Sequence, residues 1–219
     1  MVVRERFNED LKELQNKLIQ IGHFAIDALG KSIEALETAN VELALKIMED
    51  DTDADLMEEE INDFAILLIA KQQPVAIDLR RIIVAIKIAN DIERIADFAT
   101  NIAKSAIRIG NEPLIKPLEH IKQMHEITSK MLLLSLEAFN EEDVNKAKQV
   151  AEMDDQVDDL YSQAIRDLLE INQKKPEHMA QVNNLSFVCR FLERAADHVT
   201  NIGEHVFYLV KGRRYDLNK

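Results

Sequence analysis

The sequence predicts an all-α protein made of two tandem antiparallel three-helix bundles related by internal duplication. Three observations predict it. Helix breakers are scarce, with 5 Gly and 4 Pro in 219 residues. Nothing alternates apolar and polar residues with period two for long enough to suggest a sheet. The stretch ERIADFATNI, Glu93 to Ile102, returns as ERAADHVTNI, Glu193 to Ile202, with seven of its ten positions identical.

The breakers divide the chain into six segments, roughly 4–38, 41–71, 78–109, 116–139, 142–173 and 177–211. At 1.5 Å rise per residue each helix is about 40–50 Å long. Asn40 follows the first segment and opens the second as a helix start. Gln72-Gln73-Pro74 separates the second from the third, since Pro ends a preceding helix or opens the next. Gly110-Asn111-Glu112-Pro113, with Pro117 close behind, is the strongest break and lies at the midpoint. Asn140 precedes the fifth segment, with Asp143 three residues on as a capping-box-like partner. Lys174-Lys175-Pro176 precedes the sixth, and the closing KGRRYDLNK reads as a frayed tail.

The segments repeat in threes. Ser32-Ile33-Glu34-Ala35-Leu36 resembles Ser135-Leu136-Glu137-Ala138-Phe139, and Asp51 with Asp55 matches Asp154 with Asp158 in the same register, 103 residues on. The expected organisation is a first bundle over 1–110, a second over 111–212 and a tail over 213–219.

Composition narrows the function classes. The chain is 47% apolar and 31% charged, a balance that suits long amphipathic helices and argues against disorder. A net charge of −13 argues against a general nucleic-acid binder and disfavours electrostatic adsorption to an anionic leaflet. It favours binding of cations, or of a partner with a basic patch. A single cysteine, Cys189, excludes an intramolecular disulfide and fits a reducing compartment. The N-terminal MVVRERFNED has no apolar signal core, and no run of 18 apolar residues exists. A cytoplasmic protein without direct membrane insertion is expected.

The repeated stretch carries the candidate site. On a helical wheel Glu93, Asp97, Thr100 and Lys104 gather within about 60° of one another, with Asn101 beside them. Ile88, Ile92, Ile95, Ala99 and Ile102 gather on a distant face, the expected core side. Glu193, Asp197, Thr200 and Asn201 repeat the stripe, opposite Leu192, Ala195, Val199, Ile202 and Val206. The wheel therefore places both acidic stripes away from the core. Like charges four residues apart cost roughly 0.2–0.5 kcal/mol, and the chain keeps that cost twice. The central segments add Asp51 with Asp55 and Asp154 with Asp158, within EDDTDADLMEEE and EMDDQVDD. A solvated face explains any one pair. The duplication favours a cation site, because the outward Glu, Asp, Thr and Asn match while core positions 95 and 99 differ. Oxygen-rich clusters select Mg²⁺, Ca²⁺ or Mn²⁺, and several carboxylates can bridge irons.

Other residues carry weaker signals. His198 points about 100° away from Asp197, and with His205 reads as a surface or boundary histidine. The pair Arg80-Arg81 could meet phosphate, but reads first as helix-start surface charge. Cys189 reads as a half-buried spacer rather than a nucleophile. Neither a Gly-rich phosphate loop nor a nucleophile elbow is found.

The tandem units, each with Glu-x-x-x-Asp followed by Thr-Asn-Ile, together with PVAIDLRRIIVAIKIANDIERIADFATNIAKSA, MDDQVDDLY and FNEDLKELQNKL, resemble the PhoU family of phosphate-uptake regulators over almost the whole chain. The resemblance implies a regulator rather than an enzyme. It implies divalent or trivalent metals in multinuclear clusters, iron first, with Zn, Mn, Mg or Ni as other ions. The ligands carried over by position are Asp51, Asp55, Glu93 and Asp97, then Asp154, Asp158, Glu193 and Asp197. It implies a homodimer working between the ATPase subunit of a phosphate ABC transporter and the PAS region of a phosphate-sensing histidine kinase, restraining uptake and the starvation response when phosphate is plentiful. Two positions depart from the pattern: Phe98 stands where many members have His, as His198 does here, and Lys104 lowers the affinity expected of the first site.

Two other readings stay open at this level. A metal-free helical scaffold would tolerate Ala at all four stripe acids. A carboxylate-bridged di-iron enzyme would need inward Glu-x-x-His pairs, and this chain has no Glu-x-x-His.

Overall fold

The computed structural model describes residues 2–217. Its helices are α1 (Val2–Glu37), α2 (Val41–Glu49), α3 (Asp51–Gln72), α4 (Ala76–Ile109), α5 (Glu119–Glu141), α6 (Val144–Lys174) and α7 (Met179–Lys211), with a 3-10 turn at Pro176–His178. No strand occurs among the described residues.

The caps explain most boundaries. Asn40 opens α2, its side chain accepting from the Leu43 amide at 3.0 Å. Gln73 closes α3 in the left-handed region at φ 45°. The second expected segment is in fact two helices, because Asp50 at ψ −6° interrupts it between α2 and α3. In the run Glu49-Asp50-Asp51 two poor helix formers, Asp50 and Asp51, sit beside a third like charge, which weakens the ladder there. Asn140 lies inside α5 rather than before α6. The cap of α6 is Asp143, which accepts from the Asn145 amide at 2.7 Å. The start of α5 slips from 116 to Glu119, beyond Pro117.

Gly110 ends α4 at φ 66°, ψ −143°, while its amide donates to Ala106 O. Side chains beyond glycine rarely adopt this backbone. Gly110→Ala is expected to destabilise the chain by about 1–3 kcal/mol, read as a lower urea midpoint at unchanged m.

Both expected core faces are found. Ile88, Ile92, Ile95, Ala99 and Ile102 are fully buried, and so are Leu192, Ala195, Val199, Ile202 and Val206. One apolar cluster runs from Phe7 to Leu209 through both three-helix units. At its centre α4 packs on α1, α2, α3 and α7, while α7 packs on α4, α5 and α6. The α4–α7 pair is antiparallel: Arg80 reaches Leu209, Asp91 reaches His198, and Phe98 stacks on Phe191.

The tail is not frayed up to Leu217. Tyr215 lies against Phe207 with ring centres 5.3 Å apart, and the Leu217 amide donates to Glu204 Oε1 at 2.9 Å. An apolar Leu217 side chain near Gly203 anchors it. Asn218 and Lys219 lie outside the described residues.

Candidate metal centres

The acidic stripes are seams between helices rather than solvent faces. A wheel describes one helix, and α4 and α7 have neighbours on several sides. Thr100 is buried, and its hydroxyl donates to Asp51 Oδ1 on α3 at 2.8 Å. This bond holds the stripe of α4 against the acids of α3. Carboxylate oxygens of Asp55, Glu93 and Asp97 lie within 4.8 Å of one another, the one such acidic triad among the described residues. All four acids expected in the first unit thus meet along one seam.

The second unit repeats the placement more loosely. Asp154 is buried on α6, near Thr200 on α7. The Thr200 hydroxyl donates to Ala196 O at 3.3 Å and also favours the ionised Asp154. Asp158 and Asp197 repel each other across the α6–α7 seam.

Burial and crowding set the electrostatics. Burial first, then the charge of Asp97, pushes Glu93 up to about 7, although Arg94 opposes the shift. Burial, then Asp158, pushes Asp154 up to about 7. Glu193 is raised by burial and then by Asp197, and Asp97 by burial and then by Asp51. Surface arginines neutralise part of this charge: Arg94 lies 3.0 Å from Asp97, and Arg190 lies 3.1 Å from Glu193. Even so, the same oxygen lacks a hydrogen bond in both units, and in the first unit only Arg94 Nε among the described residues, at 3.4 Å, faces it. Glu93 Oε2 and Glu193 Oε2 are buried without a hydrogen-bond partner among the described residues. Such an oxygen costs free energy unless something positive meets it. A set of crowded carboxylates, each unit with one buried oxygen outside the hydrogen-bond network, fits hard cations or iron by donor type.

Sequence reasoning missed Asp91. This buried carboxylate on α4 meets three side chains of α7: His198 Nδ1 at 2.8 Å, His205 Nε2 at 3.1 Å and Asn201 Nδ2 at 3.3 Å. Burial alone would raise it, but hydrogen bonds from His198 and His205 outweigh that and hold it below the ordinary 3.8. His198 and His205 are therefore boundary residues with a defined partner. The repeat hid Asp91, because its counterpart 100 residues on is Phe191. Phe98 likewise belongs to the α4–α7 seam, stacking on Phe191 at 6.1 Å and lying 5.7 Å from the His198 ring. Its departure from His thus shapes the α4–α7 seam.

The remaining candidates are absorbed by packing. Arg81 pairs with Asp78 at 2.7 Å and with Glu142, and Arg80 donates to Leu209 O at 3.2 Å. Cys189 is fully buried rather than half-buried, and burial pushes its thiol up to about 12, far from a reactive thiolate.

These features define a class: duplicated three-helix units, each with an acidic seam between its central and third helices. The PhoU domain model matches residues 18–106 and again 121–206, and the chain belongs to that family. The phosphate-specific transport system accessory protein PhoU homolog of Clostridium acetobutylicum is 37% identical over 99% of this chain and 100% of its own length. The crystal structure of PhoU from Pseudomonas aeruginosa superposes with a TM-score of 0.88 at 32% identity, covering 94% of this chain and 100% of that one. The phosphate transport system regulatory protein PhoU from Streptococcus pneumoniae gives 0.89 at 27% identity, covering 96% and 99%. No helix among the described residues is long and apolar enough to cross a membrane.

Proposed function

We propose that this protein is a cytoplasmic negative regulator of phosphate uptake and of the phosphate-starvation response. It acts as an adaptor between the ATPase subunit of a phosphate ABC transporter and the PAS region of a phosphate-sensing histidine kinase. The observation that carries the reading is the end-to-end match to proteins named as phosphate transport accessory and regulatory proteins. An adaptor needs surfaces rather than a reaction centre, and two bundles joined through one core supply them.

In this reading the seams hold metal. Asp51, Asp55, Glu93 and Asp97 serve the first centre, and Asp154, Asp158, Glu193 and Asp197 the second. A cation there supplies the positive charge that Glu193 Oε2 lacks and that Glu93 Oε2 has only from Arg94 at 3.4 Å. Because the acids come from two helices, metal also ties α3 to α4 and α6 to α7. Occupancy would then stiffen the faces offered to partners.

A deletion strain carrying a phosphate-starvation reporter tests the regulatory role. The expected result is reporter expression in rich phosphate, restored to silence by the natural gene. A reporter that stays silent in the deletion strain would sink the proposal.

A further inference from the structure

We propose that the end of the molecule formed by the start of α4 and the end of α7 binds the anionic headgroup surface of a membrane. The observation is an apolar and cationic patch on an otherwise acidic chain. Val75, at the turn before α4, is 72% exposed, and Ile77, Leu79 and Ile83 are exposed after it. On the wheel Leu79, Arg80, Ile83 and Lys87 fall within about 100° of one another. Between residues 76 and 90 that arc holds no acid.

Two contacts join this stripe to the end of α7. Arg80 Nη1 donates to Leu209 O at 3.2 Å, and Lys87 Nζ lies 6.0 Å from the centre of the Tyr208 ring. Beyond them follow Lys211, Arg213 and Arg214, all exposed. Tyr215, 43% exposed, lies under Arg213 at 5.2 Å and against Phe207. Basic side chains, aliphatic tips and a half-exposed tyrosine therefore share one end.

Contrast within the chain separates this patch from ordinary exposed leucines. Leu56, Ile66 and Leu67 on α3 are also exposed, but they sit among Asp53, Glu59, Glu60 and Asp63. The net charge of −13 does not decide the matter. At physiological salt the screening length is about 8 Å, so a membrane meets the charge of the end that faces it. Lys and Arg near an anionic leaflet are each attracted, and a tyrosine with neighbouring aliphatic tips suits the interface. Val75 stands clear of the fold at a helix start, and Ile77, Leu79 and Ile83 present partly exposed tips beside it, an arrangement that suits a soft interface.

The inference goes beyond the regulatory reading and is tested on the isolated chain. Full-length protein is sedimented with vesicles of phosphatidylcholine alone and of equal phosphatidylcholine and phosphatidylglycerol, at about 0.1 M salt and again at about 1 M, where the screening length falls to ~3 Å. Expected are binding to the anionic vesicles only, release by high salt, and roughly ten-fold or greater weakening in Arg213→Glu/Arg214→Glu and in Val75→Asp/Ile77→Asp. Leu56→Ser/Leu67→Ser on α3 should bind as the natural protein does. Circular dichroism confirms that each variant is folded. No binding of the natural protein to anionic vesicles overturns the proposal, as does unchanged binding by both end variants. If the end variants weaken binding to a purified transport-system protein while the natural chain ignores vesicles, the patch is a protein-docking face and the membrane assignment is wrong.

Discussion

Asp91→Ala is expected to destabilise the protein by about 2–4 kcal/mol, the largest loss for any single acid in the chain. The carboxylate is buried and accepts from His198, His205 and Asn201. Removing it leaves three polar groups of α7 facing a hole at the joint between the two units. Urea denaturation measures the loss, and an Ala variant within 0.5 kcal/mol of the natural protein, roughly the scatter of surface substitutions, would contradict it. The pH dependence has a fixed sign. The folded-state value of Asp91 lies below the ordinary 3.8, so its contribution is complete above that value. The contribution is lost as pH falls through the lower, folded-state value. Acid unfolding of Asp91→Asn should therefore show a shallower loss of stability below pH about 4 than the natural protein shows.

The second large effect is metal retention. The natural protein, purified without tag or chelator, is expected to carry several metal ions per chain. The variant with Ala at Glu93, Asp97, Glu193 and Asp197 should carry none at these seams. Ions at about 100 times their dissociation constant add roughly 2.7 kcal/mol per site to the natural protein and nothing to the variant. After chelation the order reverses, and the variant is equal or more stable by roughly 0.5–1 kcal/mol because two like-charge pairs are gone. Elemental analysis with paired melting curves reads both halves of this prediction. Natural protein that holds no metal, together with a variant of equal stability, would leave the seams without a cation role.

pH separates the two states further. In chelated protein Glu93 and Asp154 rise to about 7, so the fold holds their protons more tightly than the unfolded chain does. Their effect on stability is most favourable below the unfolded carboxyl value near 4. It is lost as pH rises and is fully lost above about 7. The chelated protein should melt a few degrees higher at pH about 5.5 than at about 8 through these groups, a difference that bound metal removes.

How much of this was legible before the fold depended on what each pattern encodes. The core faces of α4 and α7 were readable residue by residue, because a 3.6 period records which side of a helix is buried. The acids were readable as a set because they occur twice. Their setting was not, since the bond from Thr100 to Asp51 joins residues on separate helices. The break at Asp50 hid inside EDDTDADLMEEE, a run polar enough to suit either one helix or two. Asp91 was invisible for a different reason: the repeat drew attention to positions that match, and residue 91 is a position where the halves disagree.

That disagreement has a consequence for which halves can associate. In the antiparallel α4–α7 pair, Asp91 faces His198 on one side while Phe191 faces Phe98 on the other. The two contacts exchange places when 100 is added to or subtracted from each residue number. Were the first half to pair with a copy of itself through this surface, Asp91 would face Phe98 twice, and a buried carboxylate would lose its donors. Were the second half to do so, Phe191 would face His198 twice. Each half of the duplicated chain thus fits the other better than its own kind. Any pairing of two copies through this surface is therefore first half against second half, the combination each chain already makes within itself.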